Sequence, residues 1–486
     1  MKITELKPAG VWRIFDEITQ VPRPSKKEEK IRAYLRKFAE DRHLDYDEDA
    51  VGNIVIRKAA TKGYENLKTV VLQSHMDMVC EKNSGVDHDF EKDPIKTIVA
   101  DGWVKADGTT LGADDGIGVA SALAVLDDES VEHGPIECLF TVDEETGMTG
   151  AFGIQPGFIK GDILLNLDSE DEGQMFIGCA GGMGTTGIVR YDTKKADANA
   201  FFAKITVNGL KGGHSGGEIH IGLGNANKLL TRILYTVMEQ MPMNLVAIDG
   251  GNLHNAIPRE AYAVIAVPAD KKEALAAIVN VMQSNMQHEL RKVDPDVKVT
   301  LESENKSDKV IADDCTKRFV RMLYVMPHGV LGMSHDMEDL VESSTNLASI
   351  KMKKAGEIEV ETSQRSSSET LKEDIGNMVK AVFELGGAKV EVRDGYPGWE
   401  PNPDSEILKV VNQAYRKLFG KDPEVLAIHA GLECGLFLTK YPNLDMVSFG
   451  PTLRYVHSPR ECCEIETVEL FWRHLVEVLK NIPKRK

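Results

Sequence analysis

The chain has no long apolar run, few cysteines and no excess of positive charge. None of its 486 residues lies in an apolar stretch near the roughly 20 residues that a membrane helix needs, and the N-terminus lacks the apolar core of a signal peptide. A formal net charge of −18 argues against nucleic acid or an anionic membrane as a main partner. The seven cysteines include no CxxC pair, which is typical of a reduced compartment. We therefore expect a cytoplasmic protein that binds neither nucleic acid nor membrane.

Changes in hydrophobic periodicity divide the chain into three segments that form two domains. Residues 1–186 and 395–486 alternate helical and strand-like patterns, which predicts a doubly wound α/β domain with a mostly parallel sheet. Residues 187–394 follow a β-α-β-β-α-β order and then a second, looser round, which predicts an inserted α+β domain with an antiparallel sheet. A length of 486 residues also favours two domains over one core.

Candidate metal ligands follow five separate apolar runs. His75 follows 69–74, Asp114 follows 111–113, Glu144 and Glu145 follow 136–143, Asp168 follows 162–167, and His457 lies downstream of 446–450. The carboxyl ends of parallel strands meet at one edge of a sheet, and carboxylates with imidazoles suit zinc or a similar divalent ion. Taken alone, each residue has an ordinary interpretation, such as a helix cap, a solvated strand end or a loop residue. The joint pattern predicts a metal site.

A two-metal hydrolase needs one carboxylate that is shared by both ions. Asp114, at the start of a predicted helix, is the best candidate for this bridge. His75 and Asp168 would complete one ion's ligands, and His457 with a glutamate would complete the other's.

The remaining acidic residues suit supporting roles. Glu144 and Glu145 are neighbours that point in different directions, so one would bind metal while the other serves as general base. Asp77, two residues after His75, can accept the ring N–H of that histidine and orient it.

Three motifs carry a resemblance to a known family. The segments 73–82 (QSHMDMVCEK), 111–118 (LGADDGIG) and 429–435 (HAGLECG) resemble the co-catalytic zinc exopeptidases, and most closely their aminoacyl-histidine dipeptidase branch. The resemblance covers essentially the whole chain, including the insertion. The wider group usually has a lysine soon after the bridging aspartate. Asp115–Gly118 lacks it here, as the dipeptidase branch does.

The resemblance implies a role for each candidate residue. The implied zinc ligands are His75, Asp114, Glu145, Asp168 and His457, with Asp114 as the bridge, Asp77 as the orienting acid and Glu144 as the general base. The insertion would be a lid that also forms a homodimer. His214, in the glycine-rich segment 212–217, would stabilise the oxyanion, and Asn255 and Arg365 would contact the substrate.

These roles imply a cytoplasmic dipeptidase with two zinc ions, for which cobalt or manganese could substitute. Its expected substrates are small peptides, above all Xaa-His dipeptides such as β-alanyl-histidine. An N-acyl-amino-acid deacylase or desuccinylase with the same two-metal core is the alternative. A catalytically silent metal-binding scaffold is more remote, because Asp77 and Glu144 are both present.

Overall fold

The computed structural model describes residues 2–485, which form twelve α-helices and 25 β-strands. The helices are α1 (Ala9–Thr19), α2 (Glu29–Asp41), α3 (Ala113–Asp127), α4 (Glu144–Gly147), α5 (Thr149–Gly153), α6 (Ala226–Gln240), α7 (Lys272–Leu290), α8 (Asp313–Val325), α9 (Glu369–Leu385), α10 (Glu406–Phe419), α11 (Glu433–Lys440) and α12 (Ile465–Lys480). The strands are β1 (Asp45–Glu48), β2 (Ile54–Lys58), β3 (Val70–His75), β4 (Thr97–Ala100), β5 (Trp103–Ala106), β6 (Ile136–Thr141), β7 (Ile163–Asn166), β8 (Gln174–Cys179), β9 (Gly181–Arg190), β10 (Thr193–Lys195), β11 (Ala200–Asn208), β12 (Gly213–His214), β13 (Asn244–Gly250), β14 (Ala256–Ile257), β15 (Ala261–Pro268), β16 (Lys298–Ser303), β17 (Lys309–Ile311), β18 (Gly329–Met333), β19 (Val341–Lys354), β20 (Glu357–Ser366), β21 (Lys389–Tyr396), β22 (Glu424–Ile428), β23 (Asp445–Ser448), β24 (Leu453–Arg454) and β25 (Cys462–Glu464).

The chain divides into two compact units. The first comprises Met1–Gly178, Pro401–Ala427 and Leu432–Lys486, and the second comprises Cys179–Glu400 and Ile428–Gly431. The predicted insertion, 187–394, lies within the second unit, which extends past it at both ends.

The first unit is built on an eight-stranded sheet with the order β1-β2-β6-β3-β7-β23-β8-β22. The four central strands, β6, β3, β7 and β23, run parallel. Strand β2 is antiparallel to β1 and β6, and β8 is antiparallel to β23. The predicted α/β class is confirmed, and the parallel part of the sheet is its centre.

Burial on both faces explains why the central strands have continuous apolar runs. All residues of β3, β6 and β7 are buried, as is typical of parallel strands that are covered by helices. Helix α1 buries Val11, Trp12, Ile14, Phe15 and Ile18, which recur at helical spacing. Gln73 and Asn166 are polar exceptions within these buried strands.

The second unit contains a nine-stranded sheet with antiparallel pairing. Its order is β16-β11-β15-β13-β19-β20-β9-β21, and β18 pairs with β19. Apolar side chains of α6, α7, α8 and α9 pack in one core with those of the sheet, including Leu234, Val279, Phe319 and Phe383. The antiparallel sheet that the sequence predicts is therefore present.

Strand β9 contains four glycines, although glycine is unusual inside a strand. Packing explains its glycines. A Cβ atom at Gly187 would lie 2.2 Å from the ring of Phe383, and one at Gly182 would lie 2.7 Å from the ring of Tyr396. The aromatic rings thus lie where side chains of β9 would otherwise stand.

Among residues 2–485, no helix combines the length and apolar character that crossing a bilayer requires.

Candidate metal centre and substrate-binding residues

The five predicted ligands converge in the first unit. His75 is the last residue of β3, and Asp168 lies two residues beyond the end of β7. Asp114 is in the first turn of α3, and Glu145 is in the short helix α4 that follows β6. His457 lies in the loop between β24 and β25. The parallel strand ends and the loops beyond them bring these side chains together.

Asp114 lies between the two histidines. Nε2 of His75 is 3.0 Å from Oδ1 of Asp114, and Nε2 of His457 is 3.0 Å from Oδ2. A second carboxylate flanks each ring: Asp168 Oδ1 is 3.4 Å from His75 Nε2, and Glu145 Oε2 is 2.9 Å from His457 Nε2. The five residues form two half-sites that share one carboxylate.

The donor set fits divalent metal ions. Ligand atoms of His75, Asp114 and Glu145 all lie within 4.8 Å of one another. Oε1 of Glu145 is buried and has no hydrogen-bond partner among the described residues. Three carboxylates and two imidazoles are ligands that zinc and neighbouring metals accept.

The carboxylates of the centre raise the pKa values of neighbouring titratable groups. Hydrogen bonds that His457 donates to Asp114 and then to Glu145 raise the pKa of its ring to about 11. Burial, followed by the charges of Asp114 and Glu145, raises the pKa of Asp168 to about 6. A cation bound among these groups would offset the repulsion between the carboxylates.

Asp77 supports both His75 and the glutamate pair. Its Oδ1 lies 3.4 Å from Nδ1 of His75 and accepts the backbone N–H of Glu144 at 3.1 Å. Its Oδ2 accepts the backbone N–H of Glu145 at 3.3 Å and the hydroxyl of Ser25 at 2.7 Å. Asp77 therefore ties the end of β3 to the start of α4.

The carboxylate of Glu144 receives no hydrogen bond from any part of the chain that the structure describes. Desolvation, and then the negative charges of Asp168, Glu433 and Glu145, raise its pKa well above the usual value. A carboxylate with a raised pKa and unused oxygens suits proton transfer.

A buried polar chain beneath the ligands was not predicted. Gln73 Nε2 donates to Glu433 Oε2 at 2.7 Å, and Asn166 Nδ2 donates to Gln73 Oε1 at 2.6 Å. Thr141 Oγ1 also donates to Glu433 at 2.8 Å, and Ser448 donates to Asn166 at 2.5 Å. These contacts connect the carboxyl ends of β6, β3, β7 and β23. The sequence signal was present, because Gln73 and Asn166 interrupt otherwise apolar runs.

Two buried charged residues that contact the Asp114 loop were also missed. Glu461 and Arg23 are each only 2% exposed. Glu461 accepts hydrogen bonds from backbone N–H groups of the loop, and Arg23 donates to a carbonyl of the loop. Neither residue lies in an apolar run, so hydrophobic patterning gave no reason to select it.

His214 lies in β12 of the second unit in a defined tautomer. Its Nδ1 accepts the backbone N–H of Gly217 at 3.0 Å, so the ring proton of the neutral side chain is on Nε2. Desolvation, and then the charge of Arg365, lower the pKa of His214 and favour this neutral form. Nε2 is therefore a hydrogen-bond donor.

In the second unit, His214 and Asn255 line one cavity and Arg365 lines another. His214 and Asn255 line a cavity of about 430 Å³. Arg365 lines another of about 200 Å³ together with Tyr396 and His254. Its guanidinium donates to the Tyr396 hydroxyl at 2.7 Å, while its buried Nε has no partner among the side-chain and backbone groups that the structure describes.

Comparisons with known proteins identify the family. A family model described as peptidase family M20/M25/M40 matches residues 71–481. A cytosol non-specific dipeptidase of Escherichia coli (strain K12) is 45% identical over 484 residues, which is 100% of each chain.

Solved structures are also similar. An aminoacylhistidine dipeptidase from Vibrio alginolyticus is 44% identical, with a TM-score of 0.93 over 100% of this chain and 99% of that one. An aminopeptidase from Bacillus cereus shares the fold at 17% identity, with a TM-score of 0.59 over 98% and 99% of the two chains. The family is metal-dependent, and the converging histidines and carboxylates are candidate ligands. The chain belongs to peptidase family M20/M25/M40.

Proposed function

We propose that this peptidase is a two-metal dipeptidase that hydrolyses short peptides, Xaa-His dipeptides such as β-alanyl-histidine among them. The main observation in support is the position of Asp114, whose two carboxylate oxygens each face one of the two half-sites. Relatives of 45% and 44% identity that are named as dipeptidases support the substrate class.

The proposed cofactors are two zinc ions, for which cobalt or manganese could substitute. His75 and Asp168 would hold one ion, Glu145 and His457 the other, and Asp114 would bind both. Bound there, the ions would supply Lewis acidity toward the scissile carbonyl and lower the pKa of a water molecule.

Glu144 is the proposed general base. Its carboxylate makes no hydrogen bond within the described chain, and its raised pKa suits a group that takes a proton from water and returns it to the leaving amine. Asp77 would keep Glu144 in place through the backbone hydrogen bond at 3.1 Å.

The second unit would supply the substrate contacts. Nε2–H of His214 would donate to the oxyanion that forms when water attacks the carbonyl. Arg365 is a buried cation that forms no ion pair with any described side chain, so the carboxylate of a peptide would satisfy it. Asn255, in the same cavity as His214, would hold the peptide backbone.

The proposal also includes the cellular location and the oligomeric state of the protein. A relative whose name includes the word cytosol supports a cytoplasmic location. We further propose that the second unit acts as a lid and forms a homodimer.

A substrate panel tests the proposal against the deacylase alternative. The zinc-loaded protein would be assayed with β-alanyl-histidine, other dipeptides, N-acetyl and N-succinyl amino acids, and a C-terminally amidated dipeptide. A dipeptidase cleaves the free dipeptides best and the amide poorly, because Arg365 then lacks a carboxylate to bind. Preferential cleavage of the N-acyl amino acids would contradict the proposal.

A further inference from the structure

One carboxylate accepts four consecutive backbone N–H groups in the loop that carries Asp114. Leu111 and Gly112 donate to Oε2 of Glu461 at 2.8 and 3.0 Å. Ala113 and Asp114 donate to Oε1 at 2.7 and 3.2 Å. The Asp114 backbone itself is thus held by Glu461.

The shape of the loop makes this possible. Gly112 has a φ of 69°, a left-handed conformation that is accessible to glycine. A Cβ atom at Gly112 would also lie 2.6 Å from Nη2 of Arg23. Arg23 donates to the carbonyl of Gly112 and, at 2.7 Å, to that of Asp77. The loop is therefore held through its N–H groups by Glu461 and through a carbonyl by Arg23.

Glu461 also lies in the segment that carries His457. Its own N–H donates to the carbonyl of Ser458 at 2.9 Å, and the Ser458 hydroxyl donates to the carbonyl of Tyr455 at 2.7 Å. One turn therefore presents both the His457 ring and the Glu461 carboxylate to the Asp114 loop. The 3.0 Å approach of His457 to Asp114 is set within this arrangement.

We propose that Glu461 is a positioning residue for the metal centre, which sets the Asp114 carboxylate relative to His457 and thereby the affinity for the ion between them. This inference rests on the proposed two-metal function. Groups that orient metal ligands commonly change metal affinity by roughly 10- to 100-fold when they are lost.

The chemistry of the contact requires a carboxylate. Two oxygens with unused lone pairs can accept four N–H groups, whereas a glutamine amide has one oxygen and an NH₂ that cannot accept. In Glu461→Gln, the NH₂ group of the glutamine would face two buried backbone N–H groups of the loop, which would then lack an acceptor. Glu461→Asp keeps the charge, but its side chain is shorter by one methylene, so the carboxylate lies further from the loop.

Glu137 provides a matched control in the same unit. It is 3% exposed and accepts the backbone N–H groups of Lys160 and Gly161 at 2.6 and 2.9 Å. It lies near the amino end of β6, whereas Glu144 follows the carboxyl end. Glu137→Gln removes a similar buried contact without touching a ligand loop.

The test is titration of the metal-free full chain with Zn²⁺ and Co²⁺ against a competing chelator, with the visible spectrum of the cobalt form. We expect two ions in the wild type, with the ion between Asp114 and His457 bound roughly 10- to 100-fold less tightly in Glu461→Gln and the cobalt absorption changed. Glu461→Asp should lie between the two, and Glu137→Gln should bind as the wild type does at a comparable loss of melting temperature.

Wild-type affinity and spectrum in Glu461→Gln would overturn the inference. If that variant fails to fold, wild-type binding by Glu461→Asp would do the same. A wild-type protein that binds fewer than two ions would instead contradict the proposed function, so the two failures are distinguishable.

Discussion

Oδ1 of Asp77 accepts the backbone N–H of Glu144 at 3.1 Å. The same oxygen lies 3.4 Å from Nδ1 of His75, on the side of the ring opposite Asp114. One carboxylate therefore orients a proposed ligand and fixes the position of the proposed base.

Asp77→Asn should weaken both metal binding and turnover. The asparagine amide has one oxygen, so an NH₂ group that cannot accept replaces either Oδ1 or Oδ2 of Asp77. Either His75 and Glu144 or the other two donors, Glu145 and Ser25, then lose their acceptor. We expect metal affinity to fall roughly 10- to 100-fold and kcat to stay reduced at saturating zinc. Chelator competition and steady-state kinetics measure the two effects. Ser25→Ala, which removes a single hydrogen bond to Asp77, is the control and should change both far less.

Glu144→Gln should strongly reduce turnover and leave metal binding intact. The glutamine cannot take a proton from water, and loss of a general base costs about 10²- to 10⁴-fold in rate. Kinetics with quantification of bound zinc tests this. The neighbouring substitution Glu145→Gln should lose metal instead. Loss of metal from Glu144→Gln would show that the two roles are the reverse of those proposed.

His214→Ala should lower kcat by about 10²- to 10³-fold with little change in metal content, as expected for loss of an oxyanion donor. His220→Ala is the control, because His220 is exposed six residues further along the same segment. An unchanged kcat in His214→Ala would remove this residue from the mechanism.

His474 should make the first unit less stable in mild acid. It is 2% exposed, its Nε2 lies 2.9 Å from the carbonyl of Val411, and burial lowers its pKa to about 4. An unfolded histidine has a pKa near 6.5, so between pH 6.5 and 4 the unfolded state binds more protons and folding stability falls as the pH falls. The loss is about 1.4 kcal/mol for each unit by which the pKa is lowered.

Denaturant unfolding of the metal-free protein at pH 7 and pH 5 measures this contribution. His474→Gln, which can still donate to Val411, should show a smaller loss of stability between the two pH values than the wild type. His43→Asn, at an exposed position with positive φ, should match the wild type. An identical pH dependence in all three proteins would contradict the assignment.

Much of the fold was predictable because its elements have strong local patterns. Helix α1, for example, buries apolar residues that recur at helical spacing. Strand β9 has no such local pattern, because its glycines make room for the rings of Phe383 and Tyr396, which are distant in sequence. Contacts of this kind cannot be inferred from a local pattern.

The candidate ligands were predictable for a different reason. Parallel strands bring their carboxyl ends together, so polar residues after apolar runs can be grouped without a structure. Glu461 and Arg23 act on backbone groups, which carry no sequence signature. Their partners become evident only when the loop of Gly112 is seen in three dimensions.

The most direct test of the two-metal dipeptidase is histidine release from β-alanyl-histidine by zinc-loaded, chelated and reloaded protein. We predict hydrolysis by the loaded protein, its loss on chelation, and its recovery once two zinc ions per chain are restored. Hydrolysis that persists after both ions are removed would contradict the account, as would absence of dipeptide hydrolysis by protein that holds two zinc ions.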